Sequence, residues 1–336
     1  MAWDVAGLGN ALMDALVVVE DDSILKELGL TRGTMHPVDH DQWQAAYDKL
    51  RHLDITFDSG GSCANTIAAV GRLGGQALYC GHVGDDQLGH HYAKLIGEAC
   101  GQHALRFSRD DHTGKCLSII SSSDAERTML TDLGAAIALP ELGDFGQDID
   151  NASVAHFTGY TLLPGPMHNV ALTAMRRAHE SGVKVSLDAA DPFVVVALRD
   201  LLWEVLETYC DIVFLNADEA RQLTEQEPEA AIRTIAERAN IETIVVKLGA
   251  DGSLVWHKGE THQVGIHKVT AIDTTGAGDA YAGGFLYALT QGWTPKRCGA
   301  LGAAVAALTV AQIGAVVRDR SKLAGALRAA DELTAL

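Results

Sequence analysis

Short apolar segments alternate with longer amphipathic ones along most of the chain. Short apolar runs bounded by Gly or polar residues predict buried strands, and apolar positions with a helical repeat predict helices. The predicted strands are 4–9, 15–20, 77–84, 153–160, 183–190, 211–217 and 242–250. The predicted helices are 61–75, 87–100, 167–181, 194–207, 217–224, 229–240, 277–291, 295–312 and 320–333. This alternation predicts an α/β fold, a doubly wound, mostly parallel sheet covered by helices on both faces.

Two regions interrupt this alternation. Residues 11–58 contain a strand, two short helices and two β-like segments, TMHPVD and DITFDSG. Residues 113–135 are typical of a hairpin, with strand-like segments on either side of a turn at Asp124–Ala125. Because successive strands here lack a crossover helix, we expect both regions to form one small β-sheet that acts as a lid. The alternative is that they are edge strands of the main sheet.

The composition limits the classes of function. The 336 residues are 47% apolar, enough for a large core, and the formal net charge is −18. Without a basic stripe to neutralise phosphates, neither nucleic acid nor a membrane surface is expected as a partner, and no segment is apolar enough to span a bilayer. The six cysteines form no CxxC pair, which predicts reduced core residues in a cytoplasmic protein. No HExxH motif accompanies the 14 histidines, which argues against transition-metal catalysis.

The segment DTTGAGDAYAGGFLYAL, residues 273–289, carries the strongest chemical signal. It is typical of a tight turn followed by a helix that begins near Ala277. Free N–H groups of Gly276, Ala277 and Gly278 would then lie at the positive end of the helix dipole, which suits an anion. An acidic residue in the same turn, Asp279, fits such a site if it accepts a proton. The alternative is that this carboxylate only stabilises the helix N-terminus.

Polar residues also follow the first strand and begin the next predicted helix. In GLGNALMD the third glycine of a dinucleotide fingerprint is missing, which argues against a dehydrogenase. Asn10 and Asp14 instead offer an amide and a carboxylate suited to vicinal sugar hydroxyls. In SGGSCAN, Gly60 and Gly61 would let a ligand approach the backbone closely, with Asn65 in the first helical turn. An ordinary glycine-rich helix entry is the alternative.

Two later strand ends offer candidates for a phosphate-binding side. Asn216 and Glu219 follow the strand DIVFL, where they are suited to orient water around a magnesium–phosphate unit or, alternatively, to cap a helix. Gly249 and Gly252 in KLGADGSLVW predict a turn beneath a nucleotide, which is compatible with a hairpin. Since no Walker A sequence is present, a nucleotide-dependent enzyme with this sequence would have to neutralise phosphate charge with helix N-termini, Mg²⁺ and single basic side chains.

Four ordered motifs together resemble the PfkB or ribokinase family of carbohydrate and nucleoside kinases. They are GLGNALMD, SGGSCANT with GRLGG, NADE, and DTTGAGDAYAGGF. The resemblance covers nearly the whole chain and is strongest to the adenosine-kinase-like branch. It implies a ribokinase-like fold, a single kinase domain over residues 1–336, and a phosphotransferase that uses ATP and Mg²⁺ with an alcohol group as acceptor.

The resemblance also implies a role for each matching residue. Asp279 would be the general base, beside an anion hole formed by Gly276, Ala277 and Gly278. The sugar hydroxyls of the acceptor would be held by Asn10, Asp14, Gly60, Gly61 and Asn65. Asn216 and Glu219 would support phosphate and Mg²⁺, the latter through water. The remaining expectations are an ATP site lined by Lys247, Gly249 and Gly252, contact of Arg127 with the phosphates, and a monovalent cation such as K⁺ at Asp273 and Thr275.

The acceptor stays open between two kinds of molecule. An adenosine-like ribonucleoside, phosphorylated on its primary hydroxyl, comes first, because Met35, Pro37 and Tyr160 are suited to sandwich a purine. A free sugar such as ribose or fructose is the second reading, in which these side chains only pack the lid. A non-catalytic nucleotide or sugar sensor is a third, against which the retained Asp279 argues. The charged lid strands slightly favour a monomer over a homodimer.

Overall fold

The computed structural model describes residues 3–124 and 126–332. The strands are β1 (Trp3–Leu8), β2 (Leu12–Val19), β3 (Met35–Pro37), β4 (Ile55–Gly60), β5 (Ala77–Cys80), β6 (His82–Gly84), β7 (Gly101–His103), β8 (Arg106–Ser108), β9 (Lys115–Ser121), β10 (Arg127–Asp132), β11 (Ala152–Thr158), β12 (Lys184–Asp188), β13 (Ile212–Asn216), β14 (Thr243–Lys247), β15 (Ser253–His257) and β16 (Glu260–Val264). The helices are α1 (Ser23–Glu27), α2 (His40–Leu50), α3 (Ser62–Arg72), α4 (Gln87–Cys100), α5 (Phe145–Asp150), α6 (Pro166–Glu180), α7 (Pro192–Ala197), α8 (Arg199–Thr208), α9 (Ala217–Thr224), α10 (Pro228–Arg238), α11 (Ala277–Thr290), α12 (Pro295–Val310) and α13 (Arg320–Glu332).

The main sheet has the order β16-β15-β14-β13-β12-β11-β1-β5-β7 within the described residues. The strands from β14 to β7 run parallel, and β15 and β16 extend one edge in antiparallel fashion. The parallel strands are nearly continuous in buried apolar residues because helices cover both of their faces. This confirms the predicted doubly wound, mostly parallel α/β sheet.

Two apolar cores lie on opposite faces of the main sheet. One packs α3, α4, α11, α12 and α13 against it, and the other packs α5, α6, α8, α9 and α10. Neighbouring residues of β1 illustrate the division, since Val5 belongs to the first core and Ala6 to the second. The faces of the strands are therefore covered, while their carboxyl ends remain open for function.

The small sheet has the order β3-β10-β9-β2-β4, and its described strands pair with one another rather than with the main sheet. The second-sheet prediction is confirmed, and the edge-strand alternative is wrong. One face packs on α1 and α2, where Leu25, Trp43 and Leu50 cover Val17 and Leu117. The other face looks toward the carboxyl edge of the main sheet, where it contributes side chains to a cavity. Whether it acts as a lid stays a prediction.

Two predicted elements are divided in the structure. The segment 77–84 breaks at Gly81, because β5 stays in the main sheet whereas β6 leaves it to pair with β8. The helix predicted at 194–207 becomes α7 and α8, which are separated by Leu198. In the predicted turn Asp124–Ala125, the alanine lies outside the described residues, as does residue 333 at the end of the last predicted helix.

The expectations from composition agree with the interior of the protein. All six cysteines are free and buried, which confirms their prediction as core residues. The helices of the described ranges include none with the length and apolar character that a membrane span requires.

Candidate active site

A cavity of about 520 Å³ lies between the carboxyl edge of the main sheet and the small sheet. Most residues singled out in the sequence meet there, although they come from opposite ends of the chain. Those that line the cavity are Asn10, Asp14, Met35, Gly61, Asn65, Arg127, Tyr160, Asn216, Glu219, Lys247, Gly249, Thr275, Gly276, Ala277, Gly278 and Asp279. The strand-end positions converge because parallel strands present their carboxyl ends at one edge of the sheet.

Four predicted residues lie outside the lining of the cavity. Gly252 supports the β14–β15 hairpin, where a Cβ would lie 2.0 Å from the carbonyl oxygen of Val264. Gly60 makes room for a side chain of the protein itself, since a Cβ there would lie 2.2 Å from Asp14 Oδ2. Asp273 is buried, and Pro37 ends β3. None of these four predicted residues contributes to the cavity lining.

The N-terminus of α11 forms the floor of the cavity. Gly276 is its N-cap at a left-handed φ of 67°, and a Cβ there would lie 2.4 Å from Ala315 Cβ, so that both conformation and space require glycine. The predicted free N–H groups are confirmed at Gly276 and Gly278, which have no acceptor among the described residues. At Ala277 that prediction is wrong, because its N–H closes the tight turn to Thr274 O at 3.3 Å. The turn still directs donors and a helix dipole into the cavity.

Asp279 projects from the first turn of α11 and is held by α3. Ser62 Oγ donates to its Oδ1 at 2.6 Å, and Asn65 Nδ2 donates to its Oδ2 at 2.9 Å. These two donors share one helical face because they are three residues apart. Burial raises the pKa of Asp279, and the bonds from Ser62 and Asn65 oppose that rise. The carboxylate is thus oriented, and its pKa is raised in the direction that suits a general base.

Asp14 lies opposite, on the cavity face of β2, and has no hydrogen-bond donor among the described residues. Burial raises its pKa to about 7. The nearby Arg127 opposes this rise, whereas Asp58 and Asp279 add to it. The side-chain oxygens of Asn10 and Asn65 are also buried without a partner. Buried polar atoms without partners are costly, so that this part of the cavity is suited to a ligand that supplies hydroxyl groups.

Asn216 and Glu219 form a capping box at the start of α9. Asn216 N–H and Nδ2 donate to the two carboxylate oxygens at 2.7 and 2.6 Å, and Glu219 N–H donates to Asn216 Oδ1 at 2.8 Å. The helix-cap alternative is therefore confirmed. Burial raises the pKa of Glu219 to about 7, although Lys247 counteracts it. A buried carboxylate with occupied oxygens fits a hydrated Mg²⁺ held through water better than a directly bound one.

A chain of bonds links the small sheet to the turn before α11. Arg127 donates to Thr275 Oγ1, and Thr275 in turn donates to Asp273 Oδ1. Asp273 also accepts from the N–H of Thr275 and of Gly314, each at 2.9 Å. The oxygens at Asp273 and Thr275 are of the kind that K⁺ prefers, and no basic side chain of the described residues pairs with Asp273. These oxygens already accept bonds from Arg127 and from two backbone N–H groups, and the monovalent cation at Asp273 and Thr275 stays a prediction.

Sequence reasoning missed several residues of the cavity. Asp188 is the last residue of β12, and its Oδ2 is 2.7 Å from Lys247 Nζ. Ser62 donates to Asp279. Asn216 was selected because ligands bind at the carboxyl ends of parallel strands. The same reasoning applies to Asp188, since β12 and β13 are parallel neighbours. The period of two in RTMLTD also places Arg127, Met129 and Thr131 on one face of β10, and all three line the cavity.

Comparison with known proteins agrees with this geometry. The model of the pfkB family carbohydrate kinases matches residues 34–320. A solved adenosine kinase from Sinorhizobium meliloti is 33% identical with a TM-score of 0.87, covering 98% of this chain and 99% of that one. A probable sugar kinase from Rhizobium etli CFN 42 is 30% identical with a TM-score of 0.88 and full coverage of both chains. The adenosine kinase of Saccharomyces cerevisiae is 27% identical over 327 residues, which are 91% of this chain and 94% of that protein.

The chain belongs to the pfkB family of carbohydrate kinases. The predicted family is confirmed, together with the class of phosphotransferase that uses an alcohol group as acceptor. The class implies ATP as the phosphoryl donor and a small nucleoside or sugar as the acceptor.

Proposed function

We propose that the protein transfers the γ-phosphoryl group of ATP to the primary hydroxyl of a ribonucleoside, with adenosine as the first candidate. The observation that carries this proposal is the meeting of Asp279, the donors of the α11 turn and the unpartnered Asp14 carboxylate in one cavity. In-line phosphoryl transfer requires an aligned acceptor, a base beside it and positive potential around the phosphate oxygens.

The acceptor hydroxyl would lie beside Asp279, which takes its proton as the new O–P bond forms. The P–O bond to the nucleoside diphosphate breaks, and the electron pair leaves with that product. The N–H groups of Gly276 and Gly278 stabilise the oxygens of the group in transfer. A positioned base contributes about 10²–10⁴ in rate, and one anion-hole donor about 10²–10³.

The sugar of the acceptor would be held by Asp14, Asn10 and Asn65. A carboxylate accepts bonds from two vicinal hydroxyls, and the unpartnered amide oxygens accept further ones. Gly61 keeps the backbone close, and a Cβ there would lie 2.1 Å from the carbonyl oxygen of Asn10. Gly60 acts indirectly, through the space that it leaves for Asp14.

The phosphate side would be formed by Asn216, Glu219, Lys247 and Gly249, with Arg127 approaching from the small sheet. Mg²⁺, when bound, would supply positive charge to the phosphate oxygens, and Glu219 would hold it through water. Gly252 would contribute through the shape of the β14–β15 turn.

The preference for a nucleoside rests on the apolar part of the cavity. Met35, Met129 and Tyr160 line it and are suited to the faces of a purine. Met35 is 43% exposed, so that a stacked base would cover apolar surface that is otherwise in water. A free sugar as acceptor is the second candidate, favoured by the full-length likeness to the probable sugar kinase.

The test is phosphoryl transfer from Mg·ATP to a panel of nucleosides and free sugars, with the phosphate ester located by NMR. We expect a phosphate on the primary hydroxyl of adenosine and none on 5′-deoxyadenosine, which lacks that hydroxyl. Turnover of a free sugar alone would replace the acceptor by the second candidate. No transfer to any member of the panel would contradict the kinase proposal.

A further inference from the structure

Lys247 lies where two cavities meet. Together with Asn216 and Gly249, it lines both the acceptor cavity and a neighbouring one of about 440 Å³, which extends along Asp218 and Asp251. Resting on the proposed function, the acceptor occupies the first cavity and the triphosphate enters from the second. The phosphoryl group then crosses the junction at which the Lys247 side chain lies.

The acceptor cavity carries more acidic than basic side chains, so that the positive charge of Lys247 affects how it can bind phosphate. Five carboxylates line it, and the basic side chains of its described lining are Arg127 and Lys247. Arg127 comes from the small sheet and donates to Thr275 before α11, whereas Lys247 lies at the end of β14 in the main sheet. A triphosphate adds further negative charge to a partly enclosed site, where electrostatic repulsion is stronger than in bulk water. The junction therefore needs a positive group on the side of the main sheet.

The position of the ammonium is set by Asp188. Lys247 Nζ donates to Asp188 Oδ2 at 2.7 Å, and the two side chains are only 15% and 3% exposed. An ammonium has three N–H donors, and the remaining two have no acceptor among the described residues. A Cβ on Gly278 would lie 3.1 Å from this Nζ, so that the ammonium lies against the turn of the anion hole.

We propose that Lys247 is a catalytic residue and Asp188 its positioning residue: the carboxylate holds the ammonium at the junction, and the remaining N–H groups donate to oxygens of the phosphoryl group in transfer. Lys247 keeps its proton throughout. The acceptor O–P bond forms, the P–O bond to the diphosphate breaks, and the acceptor proton goes to Asp279. The absence of a side chain at Gly278 leaves the path from the ammonium to the phosphoryl group open.

A purely structural role makes a different prediction. A buried ion pair can be present only to neutralise its own two charges, and replacing both partners with neutral groups then costs little. Removal of one partner is destabilising in either case, because it leaves a buried charge unpaired. The two roles therefore separate in the double variant, which removes both charges of the pair and is expected to fold.

The test compares kcat and the KM of acceptor and ATP in Lys247→Met, Asp188→Asn and the double variant Asp188→Asn/Lys247→Met. We expect kcat of the double variant to fall by about 10²–10³, which is the effect of removing one hydrogen-bond donor to the transition state. The KM of the acceptor should change little. The control is Lys184→Met, which breaks the Lys184–Glu242 ion pair of 2.8 Å elsewhere on the main sheet and should leave kcat unchanged.

Recovery of wild-type kcat in the double variant would overturn this inference while leaving the kinase proposal intact. If the wild-type protein phosphorylates no acceptor at all, the proposed function fails, and the inference fails with it. A slow Asp188→Asn with normal KM values supports the positioning role, because that variant keeps the ammonium and loses only its anchor. An Asp188→Asn with unchanged kcat contradicts that role.

Discussion

The two walls of the cavity differ in how far their carboxylates are already hydrogen-bonded. On the main-sheet wall, Asp279 accepts from two side-chain donors, Glu219 from its capping box, and Asp188 from Lys247. On the small-sheet wall, the carboxylate of Asp14 accepts no hydrogen bond from the described residues, and Met35 is 43% exposed. Both walls line the same cavity.

This difference indicates a division of work. Groups that must be aligned for one reaction benefit from being held before the substrate arrives. Groups that select a substrate are instead left without partners, since the ligand itself supplies their bonds. We expect substitutions on the main-sheet wall to change chiefly kcat, and those on the small-sheet wall to change chiefly KM.

The largest effect is expected at Asp279. Asp279→Asn keeps a side chain that can bond to Ser62 but removes the basic carboxylate, and kcat should fall by about 10²–10⁴. Steady-state kinetics measure the loss, with Asp200→Asn, an exposed carboxylate on α8, as the control. A variant that retains more than a tenth of wild-type kcat would rule out the base role.

A steric substitution in the anion hole should have the next largest effect. Gly276→Ala places a methyl group 2.4 Å from Ala315 Cβ at a φ of 67°, and the turn must shift. We expect kcat to fall by about 10² or more, comparable to losing an anion-hole donor. Gly292→Ala is the matched control, because its φ is 75° and no atom lies within 4 Å of the added Cβ. Equal losses in both variants would assign the effect to backbone strain alone.

Arg127 connects the two walls, and a smaller effect is expected there. Arg127→Met removes the bond to Thr275 and a charge near the phosphates. A bond to a charged group contributes about 1.5–3 kcal/mol, so that kcat/KM for ATP should fall at least tenfold. Arg32→Met provides the control, since Arg32 pairs with Asp22 and Asp124 instead. An unchanged kcat/KM would place Arg127 outside the phosphate site.

A further effect is expected in the stability of the protein without ligand rather than in its kinetics. Folding raises the pKa of Asp14 from 3.8 to about 7, so that the folded state binds this proton more tightly than the unfolded state. Its contribution to stability therefore falls as the pH rises from about 4 to about 7, and stays low above that range. Asp14→Asn should raise Tm more at about pH 8 than at about pH 4. Thermal melts over this range measure it, and a pH-independent change in Tm would contradict the assignment.

The fold was largely predictable, because parallel strands buried on both faces have a distinct apolar pattern. The GAGD turn was also predictable, since its glycines and its acidic residue mark a helix N-terminus. The division of segment 77–84 into two strands was not predictable, because the pairing of β6 with β8 depends on contacts outside that segment. The partnership of Asp188 with Lys247 likewise joins two strands 59 residues apart. Neither residue carries a local signal for that bond.

The most direct test of the division between the walls is the pair of variants Asp14→Asn and Asp279→Asn, assayed side by side with adenosine and Mg·ATP. We predict that Asp14→Asn raises the KM of adenosine about tenfold or more and leaves kcat nearly unchanged. The expected change in KM corresponds to the loss of hydrogen bonds to a charged group, which contribute about 1.5–3 kcal/mol. Asp279→Asn should lower kcat and leave that KM nearly unchanged. If both variants change the same kinetic constant, the two walls do not divide selection from chemistry, and the account is wrong.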